Sequence, residues 1–427
     1  MDHVTGFRCM LCGAEYGLDE VDYVCPLHGD DGILDVVYDY DAIGARLSRE
    51  ALAASPERSI WRYKALLPVA LDAVVPPLRV GWTPLYPAPR LAEKVGLETV
   101  WVKDDGVNPT ASFKDRASAL AVVKAQAAGA EVITTASTGN AAAALAGLAA
   151  SVGLPAVIFV PKSAPPAKIA QHLIYGARVL LVDGSYGDAF ELTLKVAREF
   201  HWYNRNTAYN PFMTEGKKTA AYEICEQLEW QAPDVVFVPV GDGCIIGGMH
   251  KGFKDLLALG WIDRMPRLMG IQAEGSAPLV QAFDGGLAAE EMVPVAVHTV
   301  ADSICASLPR DRVKALAAVR QTGGAFLAVS DAEILGAIPT IAQATGVFCE
   351  PAAAASYAGL VRAVDKGMVS AGERVVLLLT GSGLKDVGSA MKTVAEPPVV
   401  MPTLDAVRAV LKGRASRFGR PLPATRT

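Results

Sequence analysis

Long runs of one charge sign are missing from this chain. Its 427 residues carry 40 Lys and Arg against 45 Asp and Glu, a net charge of −5, with no extended basic stretch. That argues against nucleic acid as the main partner, because backbone binding needs a clustered cationic face. Long apolar runs are missing too: each is interrupted by Gly, Pro or a charge, so no membrane partner and no spanning segment are expected. The opening Met-Asp-His-Val-Thr-Gly does not read as a secretion signal. Cysteine is sparse, seven residues without a dense framework, which points to a reducing cytoplasm. What is present is 51% hydrophobic and 20% charged residues, the balance of a well-packed globular chain with room for two or three domains.

Against that background the segment Asn108-Pro109-Thr110-Ala111-Ser112-Phe113-Lys114-Asp115-Arg116 stands out. Strong helix formers follow Lys114 as far as Gly129, so this lysine is expected at the mouth of a helix. There it faces the positive end of the helix dipole, and an amine that spends time neutral forms a Schiff base with an aldehyde. A second turn, Ser137-Thr138-Gly139-Asn140, joins a short strand at 131–136 to an apolar helix at 141–150. It offers hydroxyls, an amide and helix N–H groups to a ligand.

A third segment is a buried strand at 235–240 followed by Gly241-Asp242-Gly243-Cys244-Ile245-Ile246-Gly247-Gly248, with a helix expected near Met249. Backbone N–H groups of such a loop approach a phosphate closely. The spacing is not G-x-G-x-x-G and no clear acidic ribose partner is present, which disfavours a dinucleotide. Asp242 would repel a phosphate, so its carboxylate is expected to point away or to cap the helix. A fourth segment, an apolar strand at 375–380, runs into Gly381-Ser382-Gly383-Leu384-Lys385-Asp386. Thr380 and Ser382 would stand beyond the carboxyl end of that strand, where open α/β sheets bind ligands.

The first 37 residues read as a separate module. Cys9-Met10-Leu11-Cys12 is a C-x-x-C and Cys25-Pro26-Leu27-His28 a C-x-x-H, two knuckles that fit a tetrahedral Cys₃His zinc site. The module holds too few apolar residues for a core of its own, so Zn²⁺ is expected to hold it together.

Five motifs then carry a resemblance. They are the lysine segment, Ser137-Thr138-Gly139-Asn140, Gln272-Ala273-Glu274-Gly275, Glu350-Pro351-Ala352 and the run Leu379 to Asp386. In this order the chain resembles the threonine synthases, within the tryptophan synthase β family of pyridoxal-phosphate enzymes of fold type II, over roughly residues 80–390. The resemblance implies an α/β fold of two parallel-sheet lobes. A small lobe, 114–204, would be inserted in a larger one, 38–113 and 205–395, with a tail at 396–427. It implies pyridoxal 5'-phosphate in the cleft, held by Lys114, which would also shuttle protons. Asn140 would face the cofactor's phenolic oxygen, Thr380 its ring nitrogen, and Gly241, Asp242, Gly243, Cys244 and Ile245 its phosphate. Ser137, Thr138 and Gly139 would take the carboxylate of a small amino-acid substrate. Glu350 would lie near the ring edge or serve as a helix cap. A homodimer is the implied assembly.

The implied reaction is O-phosphohomoserine plus water to threonine plus phosphate. One departure bears on it: the family arginine that helps bind the substrate phosphate is Met213 here, in Asn210-Pro211-Phe212-Met213-Thr214-Glu215-Gly216-Lys217-Lys218-Thr219. Lys217, Lys218 or Arg205 would have to replace it. Otherwise the substrate is another amino acid, met by a serine/threonine dehydratase, a diaminopropionate ammonia-lyase or a β-replacement enzyme of the cysteate synthase kind.

Overall fold

The computed structural model describes residues 3–164 and 166–414. The chain opens with an antiparallel three-stranded sheet of β1 (Val4–Cys9), β2 (Glu15–Tyr16) and β3 (Leu34–Tyr38), in the order β2-β1-β3. Residues 38–75 form only two short helices, α1 (Tyr40–Gly44) and α2 (Arg49–Ala54), and a 3-10 segment at Ile60–Leu66. Pro56 and Pro68 remove amide donors and stop longer helices there.

Strand and helix then alternate. β4 (Leu85–Pro87), α3 (Pro89–Val95) and β5 (Thr99–Asp104) start one sheet, and α4 (Lys114–Ala127) leaves it. β6 (Ile133–Ala136), α5 (Asn140–Ser151), β7 (Ala156–Pro161), α6 (Pro166–Ile174), β8 (Arg178–Val182), α7 (Tyr186–Glu199) and β9 (Tyr203–Asn204) form a second. The chain returns through α8 (Phe212–Lys217) and α9 (Thr219–Gln227) to β10 (Val235–Pro239) and α10 (Cys244–Ala258). β11 (Arg267–Ala273), α11 (Pro278–Asp284), α12 (Arg312–Gln321), β12 (Ala325–Val329), α13 (Asp331–Thr345), α14 (Pro351–Asp365) and β13 (Arg374–Leu379) complete the first sheet.

The larger sheet runs β12-β11-β10-β13-β5-β4, parallel except at the β4 edge; the smaller runs β8-β7-β6-β9, wholly parallel. Buried apolar strands such as Val-Val-Phe-Val in β10 fit sheets covered on both faces. β12, Ala-Phe-Leu-Ala-Val after Gly323-Gly324, is a short apolar run behind a turn. α10 begins at Cys244 rather than near Met249, because Gly243 (φ +92°) turns the chain into the helix as soon as β10 ends. Its internal Gly247 and Gly248 permit close packing: a Cβ there would lie 2.9 Å from Lys314 Cβ and 2.6 Å from Lys217 Cβ.

The first sheet shares the main hydrophobic core. Val4, Phe7, Leu34 and Val36 belong to one buried cluster with residues of α4, α9 and α10. Phe7 meets Phe212 edge-on at 5.7 Å between ring centroids. Beyond β13, α15 (Val387–Met391) and α16 (Leu404–Arg414) follow, and the expected tail past residue 414, including Pro421 and Pro423, lies outside the described residues. Among the described residues no helix is long and apolar enough to cross a membrane. All seven cysteines are free thiols.

Candidate active site

Lys114 is placed by a loop held on both sides. Ala111 adopts φ +63°, a conformation disfavoured for a residue with a Cβ. The strain is held by pairing to the loop after β13: Ser382 N–H donates to Ala111 O (3.0 Å) and Phe113 N–H to Thr380 O (2.8 Å). Lys114 then starts α4 with its side chain on a cavity of about 840 Å³. That is within the roughly 300–1,000 Å³ of typical ligand pockets.

The rest of the lysine motif is scaffold. Asp115 accepts from Thr110 N–H at 2.7 Å and from the Thr110 hydroxyl, and burial pushes its carboxyl up to about 6. Arg116 is fully buried between Asp105 (2.6 Å) and Glu223 (2.5 Å), and Lys103 pairs with Glu223 at 2.7 Å. Desolvation of Glu223 is outweighed by Arg116 and Lys103, which hold its carboxyl down at about 2.

The same cavity is lined by the turn Ser137, Thr138, Gly139 and Asn140 at the end of β6, and by Gly241, Asp242, Gly243, Cys244 and Ile245 after β10. Glu350 and Thr380 reach it from the C-terminal half. The amides of Cys244, Ile245 and Ile246 have no intrahelical acceptor, and no side chain caps α10. Gly241 and Gly243 keep the cradle open. A Cβ on Gly243 would lie 2.7 Å from Ala315 Cβ, and one on Gly241 2.9 Å from Ile304 Cα. Asp242 does not cap the helix; its Oδ1 accepts from Arg310 N–H at 3.4 Å.

Asn140 donates its amide to both oxygens of Glu350, at 2.9 and 3.1 Å, and to Ser303 Oγ at 3.3 Å. Glu350 therefore does not cap α14 with its side chain, although it occupies the N-cap position. It is 4% exposed, and burial raises its carboxyl above the ordinary range despite the Asn140 hydrogen bonds. Ser303 was not singled out in the sequence, since the irregular 285–311 segment carries no motif.

Two expected contacts differ. Lys218 does not line the cavity: it is buried against Glu215 (2.6 Å) and Asp255 (2.7 Å) and lies over the Tyr38 ring at 4.0 Å. Two carboxylates already satisfy its charge. Lys217 stands just behind the wall, its Nζ 3.4 Å from Thr207 Oγ1, and burial lowers its ammonium to about 8. Met213 is 1% exposed in the core and also stays clear of the cavity, so its thioether says nothing about the substrate's charge.

A separate cluster lies at the N-terminus. The ligand atoms of Cys9, Cys12, Cys25 and His28 fall within 4.8 Å of one another. Cys12 and Cys25 Sγ are 4.0 Å apart, Cys9 Sγ and His28 Nδ1 3.7 Å, and Cys25 Sγ and His28 Nδ1 3.5 Å. Tetrahedral ligands about 2.0–2.3 Å from one centre are separated by roughly 3.5–3.8 Å.

The sequence model of the pyridoxal-phosphate-dependent enzyme family matches residues 77–381. A threonine synthase of Methanosarcina acetivorans is 41% identical over 411 residues, covering 96% of this chain and 99% of that protein. The chain belongs to the threonine synthase family of pyridoxal-phosphate-dependent enzymes. The threonine synthase of Methanocaldococcus jannaschii is 39% identical over 95% of this chain and 99% of its own length. Solved structures share the fold at lower identity. One is processed threonine deaminase isoform 2 from Solanum lycopersicum, with TM-score 0.62, 20% identity and coverage of 83% of this chain and 89% of that one. Another is diaminopropionate ammonia lyase from Escherichia coli, with TM-score 0.63, 18% identity and coverage of 80% and 93%. The family's cofactor suits the donor set here: an amine, an uncapped helix start beside two crowded glycines, and the hydroxyl-bearing Thr380 in one cavity.

Proposed function

We propose that this chain converts O-phosphohomoserine and water to threonine and phosphate. The observation that carries the reading is end-to-end similarity to threonine synthases together with a lysine that opens into a cavity lined by the uncapped start of α10. Lys114 would hold pyridoxal 5'-phosphate through its amine. Gly241, Asp242, Gly243, Cys244 and Ile245 would hold the cofactor's phosphate through backbone amides. Asn140 and Thr380 would fix its ring. When bound, the cofactor supplies the electron sink that makes the substrate's Cα and Cβ protons labile.

The chain's own residues do the rest. Ser137, Thr138 and Gly139 offer hydroxyls and helix-start amides to the substrate carboxylate, which fixes the amino acid in one orientation. Lys114 would be the base beside Cα and would carry protons between carbon atoms. Glu350, its carboxyl raised by burial, accepts from the Asn140 amide on both oxygens and so orients Asn140 at the cavity. The burial of Met213 in the core removes the ground for preferring a substrate without phosphate. The test is direct: purified protein with O-phosphohomoserine should release phosphate and threonine in equal amounts. Release of 2-oxo acids from serine or threonine, without phosphate release from O-phosphohomoserine, would replace this reading with a dehydratase.

We further propose one structural Zn²⁺ at Cys9, Cys12, Cys25 and His28. The support is three thiols and one imidazole whose ligand atoms all lie within 4.8 Å of one another, three of the separations being 3.5–4.0 Å. A cytoplasmic homodimer is the assembly that goes with this reading, and light scattering of the purified protein checks the dimer.

A further inference from the structure

We infer that the first 37 residues clamp the two parallel sheets together, and that Tyr23 is a positioning residue through which the cluster of Cys9, Cys12, Cys25 and His28 holds one wall of the cavity. The inference rests on the cofactor and zinc readings above and adds a regulation to them: substrate affinity follows the state of the cluster.

The module enters two separate cores. Its strands β1 and β3 bury Val4, Phe7, Leu34 and Val36 in the main core, and Asp31 pairs with Arg312 of α12 at 3.6 Å. The loop between β2 and β3 goes elsewhere. Tyr23 and Val24 pack on the cluster that Ala136, Phe159, Phe190 and Tyr209 form around the smaller sheet. Asp30 pairs with Arg198 of α7, but both side chains are exposed and such pairs contribute little. The aromatic contact therefore carries this side of the clamp.

Tyr23 meets the chain where it leaves the smaller sheet for the larger, between β9 and α8. Its ring centroid lies 6.0 Å from that of Tyr203, edge-on, and 5.2 Å from that of Tyr209, both within the range of favourable aromatic pairs. Asn204 N–H donates to its hydroxyl at 3.4 Å. Arg205 and Thr207, which lie between these contacts, line the cavity. The segment is tied to itself and to the substrate turn. Asn210 Nδ2 donates to Asn204 O at 2.8 Å, and Asn206 Oδ1 accepts from Ala136 N–H at 2.8 Å, one residue before Ser137. Ala208 adopts φ +63°, which persists only where the surroundings enforce it. Tyr23, packed on the very next residue, is one such constraint.

The cluster fixes Tyr23 in turn. Between Tyr16 and Leu34 regular structure is limited to a 3-10 turn at Gly29–Asp31 and an isolated bridge between Val24 and Ile33. Cys25 follows Tyr23 by two residues and is buried, its Sγ 3.0 Å from Tyr16 Oη, 4.0 Å from Cys12 Sγ and 3.5 Å from His28 Nδ1. Closure of this loop around a metal confines Tyr23 to one place. An open loop regains conformational freedom, and the 203–209 wall loses its brace.

The test compares metal-loaded holoenzyme, Tyr23→Ala, Tyr23→Phe and chelator-stripped wild type well below the melting transition. Tyr23→Ala should keep its metal and the visible absorbance of lysine-bound cofactor. Its amides at 203–207 should exchange with solvent roughly tenfold faster or more. Its KM for O-phosphohomoserine should rise about fivefold or more, with kcat changed far less. Tyr23→Phe, which keeps both ring contacts, should stay near wild type. Stripping the wild type should reproduce the Tyr23→Ala pattern, and stripping Tyr23→Ala should add little, because both changes act through one contact. Unchanged exchange and KM in Tyr23→Ala would overturn the inference, as would a chelator effect of equal size in Tyr23→Ala and wild type. Wild type that purifies without metal would overturn the role given to the cluster. If wild type releases no phosphate from O-phosphohomoserine, the proposed reaction fails, and exchange at 203–207 still decides the clamp. Should Tyr23→Ala not fold, Tyr23→Leu, which keeps apolar bulk without the ring, takes its place.

Discussion

Glu223 shows what single residues contribute away from the chemistry. Its two oxygens meet Arg116 and Lys103, and it also accepts from Trp82 N–H (2.7 Å) and Thr83 N–H (3.1 Å), all beneath the Lys114 loop. A carboxyl held at about 2 stabilises the fold at and above the unfolded glutamate range, and that contribution is lost as pH falls toward 2. Glu223→Gln leaves two buried cations short of charge and should cost about 3–5 kcal/mol. Urea titrations at neutral pH would read that loss, and the gap between variant and wild type should narrow in acid. Met213→Arg is expected to cost more than about 3 kcal/mol, since it buries an unpaired guanidinium in the core; thermal denaturation tests it. Lys114→Ala should remove the visible absorbance of lysine-bound cofactor while circular dichroism stays unchanged. Lys114, Asn140 and Thr380, which the structure brings to one cavity, could be read together because each sits in a dense local motif. The isolation of Arg205 from carboxylates is a property of three dimensions that the sequence does not display. Lys218 misled for the same reason: Asp255, one of its partners, is 37 residues away in the chain.

At the scale of elements, the β10–α10 connection combines close packing with a place on the cavity wall. Gly243 takes φ +92° and sits against Ala315 and the Asp311 carbonyl, so Gly243→Ala has to move α12 or unwind the start of α10. The strained backbone alone costs about 1–3 kcal/mol. With the cofactor's phosphate proposed to rest on the α10 amides, the variant should bind pyridoxal phosphate roughly tenfold or more weakly, about 1.4 kcal/mol per tenfold. Titration of apoenzyme with cofactor, followed by absorbance, measures it. The strands of both parallel sheets were mostly legible, since runs such as Val235–Pro239 are apolar throughout and bounded by Gly or Pro. Residues 38–75 were not: their apolar side chains pack on α9 and on the extended chain at 80–83 instead of forming one amphipathic helix, and proline breaks the pattern twice. The start of α10 was placed five residues late because four glycines in eight residues read as loop, while two of them are contact points between helices.

For the whole molecule, the N-terminal sheet is fastened to the catalytic body by charge as well as by core. Lys314 of α12 donates to Leu34 O (2.9 Å) and pairs with Asp35 (3.3 Å), and Lys251 of α10 donates to Val36 O (2.9 Å). Metal removal should therefore lower the single melting transition of the entire chain. A separate, earlier unfolding of the first 37 residues in calorimetry would contradict this coupling. Cys12→Ser, at an exposed position, should reduce bound zinc from one ion per chain with little effect on packing, as metal analysis would show. The Lys314–Leu34 contact joins residues 280 positions apart. On the ribosome, at about 5–20 residues per second, the first sheet waits on the order of 15–55 s for the helix that seats it. For much of that interval Phe7 waits for Phe212 and Val36 for Lys251, and local closure around the thiols would help to keep the segment in register. Early capture of a metal would thus guard nascent chains against misassembly, so zinc starvation should reduce the yield of soluble protein before it changes the activity of molecules already folded.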